Sequence, residues 1–156
     1  MEKNELLREK ADSKIKSADH MLSISKELFS DERVLLSVAL NTLDAVMLSM
    51  TAVLEEQRKY KRIQSYGEGI DSKLAMFSRV AKKYKISDDR IKLVKELKEI
   101  KEAHDSSSIE FSKKDKLVIC QDDFELKTLK KEDLKNYVDK AKLFIQEMRG
   151  IKVKND

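Results

Sequence analysis

Apolar positions recur along most of this chain at spacings of three, four and seven, as in helices that bury one face. Leu7, Ala11, Ile15, Ala18, Leu22 and Phe29 form one such stripe and predict a first helix from about Lys3 to Leu28. Ser30 followed by Asp31 and Glu32 is a cap residue with acids in the first turn. A second helix is expected from there to about Arg62, roughly 45 Å long if straight. The two glycines of Ser65-Tyr66-Gly67-Glu68-Gly69 should end it with a C-cap and a turn. Ile70, Leu74, Phe77 and Ala81 mark a third helix, about Ile70 to Tyr84. Ser87-Asp88-Asp89 repeats the cap signal and opens a fourth, about Asp88 to His104, with Leu93, Leu97, Ile100 and His104 on one face.

The period then shortens. Ile109-Glu110-Phe111, a polar turn from Ser112 to Asp115, and Lys116-Leu117-Val118-Ile119-Cys120 predict a β-hairpin, with a further extended piece at Phe124-Glu125-Leu126. Thr128, with Glu132 and Asp133 after it, is expected to cap a last helix reaching about Met148, with a stripe of Leu134, Tyr137, Val138, Ala141, Phe144, Ile145 and Met148. The expected fold class is mainly α: one domain over residues 1–156, an antiparallel bundle of about five helices with a short β-hairpin between the fourth and fifth. A short disordered tail is expected from about residue 150.

The second helix is apolar on more than one side. Leu36, Ala39, Leu43, Val46, Met50, Val53 and Leu54 define its main face, while Val38, Ala45 and Ala52 recur at spacing seven on another. Two readings follow: the helix is central and touches several neighbours, or Val38, Ala45 and Ala52 form a homodimer seam. Between the two sides runs a polar stripe of Ser37, Asn41, Asp44, Thr51 and Glu55, interrupted by Leu48. Asn41 and Asp44 are poor helix formers. They either face solvent or line a groove for a ligand, with Ser37 beside them.

Composition narrows the classes. In 156 residues, 40% are hydrophobic and 40% charged, which suits amphipathic helices and argues against disorder. The balance of 33 basic and 29 acidic residues gives +4, an ordinary solubility charge that admits RNA without requiring it. The single cysteine, Cys120, excludes an internal disulfide framework, and two histidines offer no metal-ligand spacing; no metal or cofactor is expected. No run of 18 apolar residues is evident and the N-terminus lacks a signal-peptide pattern, so a cytoplasmic chain without a membrane span is expected. Of the six methionines, Met21, Met47, Met50, Met76 and Met148 are expected in the core. Phosphate loops, zincin motifs and nucleophile elbows are absent from the sequence. The basic runs Lys82-Lys83-Tyr84-Lys85 and Lys113-Lys114-Asp115-Lys116 are expected to be solvated.

His104 stands out as a histidine at the end of an apolar helix face, where it could be a C-terminal residue that suits the helix dipole, a packed and hydrogen-bonded side chain, or a general acid or base. The order of helices, the long second helix and the segment Leu97-Lys98-Glu99-Ile100-Lys101-Glu102-Ala103-His104 resemble the HEPN family. That resemblance implies an all-helical bundle that commonly dimerises. Many members are metal-independent RNA endonucleases of toxin or defence type, with an arginine four to six residues before a histidine in a cleft between protomers. Here His104 matches the histidine, Lys98 stands in the arginine's place, and Glu99 follows where a polar residue is frequent. Lysine lacks the planar fork of arginine, and Glu99 would repel a phosphate. The expected function is therefore a non-catalytic, homodimeric interaction module acting through protein contacts. The alternatives are a ribonuclease using His104 and Lys98, with Asn41 or Asp44 positioning the site, and a module binding a small ligand or nucleotide along Ser37, Asn41 and Asp44.

Overall fold

A computed structural model describes residues 2–28, 32–112, 116–123 and 125–153. The chain forms α1 (Lys3–Leu28), α2 (Glu32–Lys59), α3 (Ile70–Lys83), α4 (Asp88–Asp105), β1 (Ser107–Ser112), β2 (Lys116–Gln121), β3 (Leu126–Lys130) and α5 (Lys131–Arg149). It is mainly α, with five helices and a small antiparallel sheet between α4 and α5. The expected hairpin gains a third strand, in the order β1-β2-β3.

α2 lies at the centre, packing against α1, α3, α4, α5 and the sheet. This explains why it is apolar on two sides. Leu43, Val46, Met50 and Leu54 are buried on one, and Val38, Ala45 and Ala52 are wholly covered on the other by the chain's own helices. These last three are therefore not a surface seam; small side chains there let neighbouring helices approach closely. Arg33–Lys59 is long and apolar enough, by length and composition alone, to cross a membrane. Over half of that apolar window is buried within the bundle. Phe77 of α3 meets Phe144 of α5 at 5.8 Å between ring centres and 41° between ring planes, both fully buried, within the range at which aromatic pairs attract. Met50 and Met148 are core residues, and Met21, Met47 and Met76 pack against the core from partly exposed positions.

Two boundaries differ from expectation, the end of α2 and the start of α5, while α3 ends where expected. α2 ends before its glycines: Lys61 takes a left-handed φ of 57°, with Lys61 N–H donating to Arg58 O (2.9 Å) and Arg62 N–H to Gln57 O (2.8 Å). This is a Schellman closure with lysine in the position that glycine usually fills. α3 closes in the same way at Lys85 (φ 55°), with Ile86 N–H donating to Ala81 O at 2.9 Å. Thr128 does not cap the last helix: it pairs with Val118 in the sheet, and α5 starts at Lys131, where Asp133 accepts from Lys130 N–H (3.0 Å). A β-branched residue suits the ladder, and the acids after it serve a helix starting three residues later. The predicted cap at Ser87 is present, accepting from Asp89 N–H at 3.2 Å. Ile151, just past residue 150, packs into the core. The predicted cap at Ser30 and Asp31, Phe29, most of the β1–β2 turn and Phe124 lie outside the described residues.

Candidate functional site

The sheet has two unlike faces. Alternation along β2 points Leu117 and Ile119 inward, both fully buried, where Leu129 of β3 joins them. The opposite face carries Ile109 and Phe111 of β1, Val118 and Cys120 of β2, and Leu126 of β3, placed side by side by the pairs Ile109↔Cys120, Phe111↔Val118 and Cys120↔Leu126. Ile109 is 60% exposed, Phe111 44% and Leu126 64%. Large apolar side chains that open to water and that contiguous are unlike the scattered exposure normal for a surface. Charge is sorted along this face. Lys116 and Lys130, paired across the ladder, sit at one end, and the turn bearing Asp122, Asp123 and Glu125 sits at the other.

The inner face and the end of α4 form a second constellation. His104 Nδ1 lies 2.5 Å from Glu110 Oε1, across from the last turn of α4 to β1. A carboxylate accepts only, so this contact fixes a proton on Nδ1. The Ser107 hydroxyl is 2.8 Å from the same Glu110 oxygen and 3.0 Å from the His104 carbonyl oxygen, and donates its single proton to one of them. Glu110 thus holds the imidazole in the tautomer whose Nε2 can act as a base.

A cation to meet a phosphate is what the constellation lacks. Lys98 is bonded to Asp71 of α3, and to Glu102 at 3.2 Å. Those two hydrogen bonds, Asp71 first, raise its pKa above the ordinary lysine value. Lys101 is likewise taken by Asp105 at 2.6 Å, which lowers that carboxyl's pKa. Lys98 and His104 therefore turn to carboxylates on different elements. Four of these carboxylates, on Asp71, Glu102, Asp105 and Glu110, offset the local cations and would oppose a polyanion.

The polar stripe of α2 divides. Asp44 and Thr51 border an open cleft of about 450 Å³ between α1 and α2, with Lys10, Lys14 and Leu48. Asp44 stands 3.9 Å from Lys14, and the Thr51 hydroxyl donates back to Met47 O at 2.7 Å. Ser37 and Asn41, nearer the start of the helix, are not part of that lining. Glu55 is engaged elsewhere, accepting from the Tyr66 hydroxyl at 2.5 Å. The buried polar residues of α2 include Thr42, Ser49, Thr51 and Gln57. Thr42 satisfies its hydroxyl on Val38 O (2.6 Å) and Gln57 donates to Tyr84 Oη (2.9 Å).

Among the described residues, no three His, Cys, Asp or Glu side chains gather in a way that could hold a metal ion. Comparison with known proteins finds no matching family model, no matching curated protein and no matching solved structure. The outer sheet face escaped the sequence reading, although a signal was present. Lys116–Gln121 is apolar at consecutive positions where a half-solvated strand would alternate, the mark of a strand that offers both faces for burial.

Proposed function

We propose that this chain is a HEPN-like helical bundle with an interaction role, and that it self-associates by stacking the outer face of its sheet on the same face of a second copy. The observation that carries this reading is the exposed apolar row of Ile109, Phe111, Val118, Cys120 and Leu126 with opposite charges at its two ends. Stacked sheets pack about 10 Å apart with their side chains interleaved. A twofold axis along the strands would set Lys116 and Lys130 against their own copies. An axis across the strands sets them against Asp122, Asp123 and Glu125, so charge selects the second arrangement. The helix order and the segment ending at His104 support the family reading. The carboxylates around Lys98 and His104 support a contact role over catalysis.

Sedimentation velocity over a concentration series tests this. The wild type should pass from monomer to dimer, and Phe111→Glu should stay monomeric with an unchanged circular dichroism spectrum. Reversing the lysine end with Lys116→Glu and Lys130→Glu should weaken the dimer, and adding Asp122→Lys and Asp123→Lys should restore it. A wild type that remains monomeric at about 1 mM, where even a 4 kcal/mol association would register, rules the proposal out.

One observation favours the rival catalytic reading: Glu110 orients His104 as a histidine base is commonly oriented. Incubation with RNA in EDTA decides it. Cleavage by the wild type that His104→Ala abolishes would establish the ribonuclease; no cleavage, or equal cleavage by both, removes it.

A further inference from the structure

Away from both constellations, three cations gather at a cleft between the ends of α2 and α3. Arg62, just past the left-handed Lys61, lines a cleft of about 330 Å³ together with Arg79 and Lys83 of α3, and the amides of Gln57 and Gln64 contribute to its wall. No carboxylate borders it. Among the described residues Arg62, Arg79 and Lys83 have no ion-pair partner, whereas Lys59, Lys98 and Lys101 are each held by a carboxylate. Gln57, 1% exposed, ties α2 to Tyr84 at the end of α3, and both helices close in the same left-handed turn beside the cleft.

Basic residues in the last turn of a helix have an ordinary explanation, since they offset the negative end of its dipole. That explanation covers only part of this cluster. Two helix ends carry about half a negative charge each and so offset about one of the three cations. Arg79 also stands a turn before the end of α3, and Arg62 lies beyond α2. About two positive charges remain unmatched, two of the three groups being guanidinium forks suited to bidentate contact with tetrahedral oxyanions. A phosphomonoester carries about 1.5–2 negative charges near neutral pH.

We infer that this cleft binds the phosphate group of a small phosphomonoester, with Arg62 and Arg79 gripping its oxygens and Lys83 supplying charge. The same chemistry could be presented by free inorganic phosphate or by an ester whose organic body fills the remaining volume. The site is separate from the sheet face and does not depend on self-association.

Isothermal calorimetry on the full chain tests it with inorganic phosphate, phenyl phosphate and benzoate, the last as a monoanion of similar body. Phosphate or phenyl phosphate should bind at one site, and benzoate should bind about 10-fold more weakly, as expected for loss of a charge-assisted contact. Arg62→Gln and Arg79→Gln should each weaken binding about 10-fold or more without changing the Tm of the free protein, and Arg79→Lys should recover part of it. Tighter binding of phenyl phosphate than of phosphate identifies an ester, equal binding identifies the free ion, and either supports the site. No saturable binding of phosphate or phenyl phosphate up to about 10 mM, benzoate binding as well as phenyl phosphate, or both glutamine variants binding like the wild type would overturn it.

Discussion

The contact between His104 and Glu110 joins the last turn of α4 to the sheet, and breaking it separates a structural role for this histidine from a catalytic one. The Nδ1 to Oε1 distance is 2.5 Å, with the side chains 34% and 17% exposed. Hydrogen bonds involving a charged group contribute about 1.5–3 kcal/mol. Partial exposure lets water replace some of that, leaving about 1–2 kcal/mol for this pair. In a domain of this length, 1 kcal/mol moves Tm by about 2–4 °C, so Glu110→Gln should lower Tm by about 2–8 °C. A double-mutant cycle by urea unfolding over wild type, Glu110→Gln, His104→Gln and the double variant isolates the pair. A coupling near 1 kcal/mol is expected, because Glu110→Gln leaves the imidazole without its carboxylate. If the single losses add to within about 0.3–0.5 kcal/mol, the range found for independent sites, the contact carries no stability and the reasoning fails. A confirmed coupling also bears on function, since loss of any activity in His104→Ala would then require a folding control.

Lys61→Gly and Lys85→Gly should each stabilise the fold by about 0.5–1 kcal/mol, because glycine meets the left-handed φ of 57° and 55° without the Cβ penalty; an unchanged or lower urea midpoint contradicts this. Ala45→Leu should cost about 1–3 kcal/mol through overpacking of a fully covered position, and full retention of stability would place Ala45 at the surface. Alkali should also weaken the fold. Burial, aided by Glu55 for Tyr66 and Glu96 for Tyr137, raises both phenols, Tyr137 to about 12, and Asp71 with Glu102 raises Lys98. Each of these groups binds its proton more tightly when folded. Their stabilisation is complete below the unfolded values near 10.0 and 10.5 and is lost as pH climbs through the folded ones. Tm should therefore fall between about pH 10 and 12; a flat profile would show that these phenols and Lys98 titrate alike in both states.

Helix identity and facing were legible because periodicity reports burial directly. Ala11, Ile15, Ala18 and Leu22 on α1, and Leu134, Val138, Ala141, Phe144, Ile145 and Met148 on α5, are the buried residues that their spacing indicates. The end of α2 was not legible. Gly67 and Gly69 are the expected turn residues, yet the backbone reverses hand at Lys61, a position that no side-chain preference marks. Thr128 shows the same difficulty, since one residue type serves both strand and cap and tertiary pairing decides between them. Val38, Ala45 and Ala52 could be read as apolar but not as covered by this chain or by another, because periodicity identifies a buried side without naming its neighbour. Lys98 and His104 were identifiable as titratable groups. Their carboxylates come from α3 and β1, however, and no spacing within α4 reveals them.

The self-associating sheet face is tested most directly by a heteronuclear NMR dilution series on the unmodified chain. With rising concentration the signals of Ile109, Phe111, Val118 and Leu126 should shift together along one saturating curve. Leu143, equally open to water on α5, should stay fixed. Signals that do not depend on concentration, or shifts centred on the helices instead of the strands, would contradict the account.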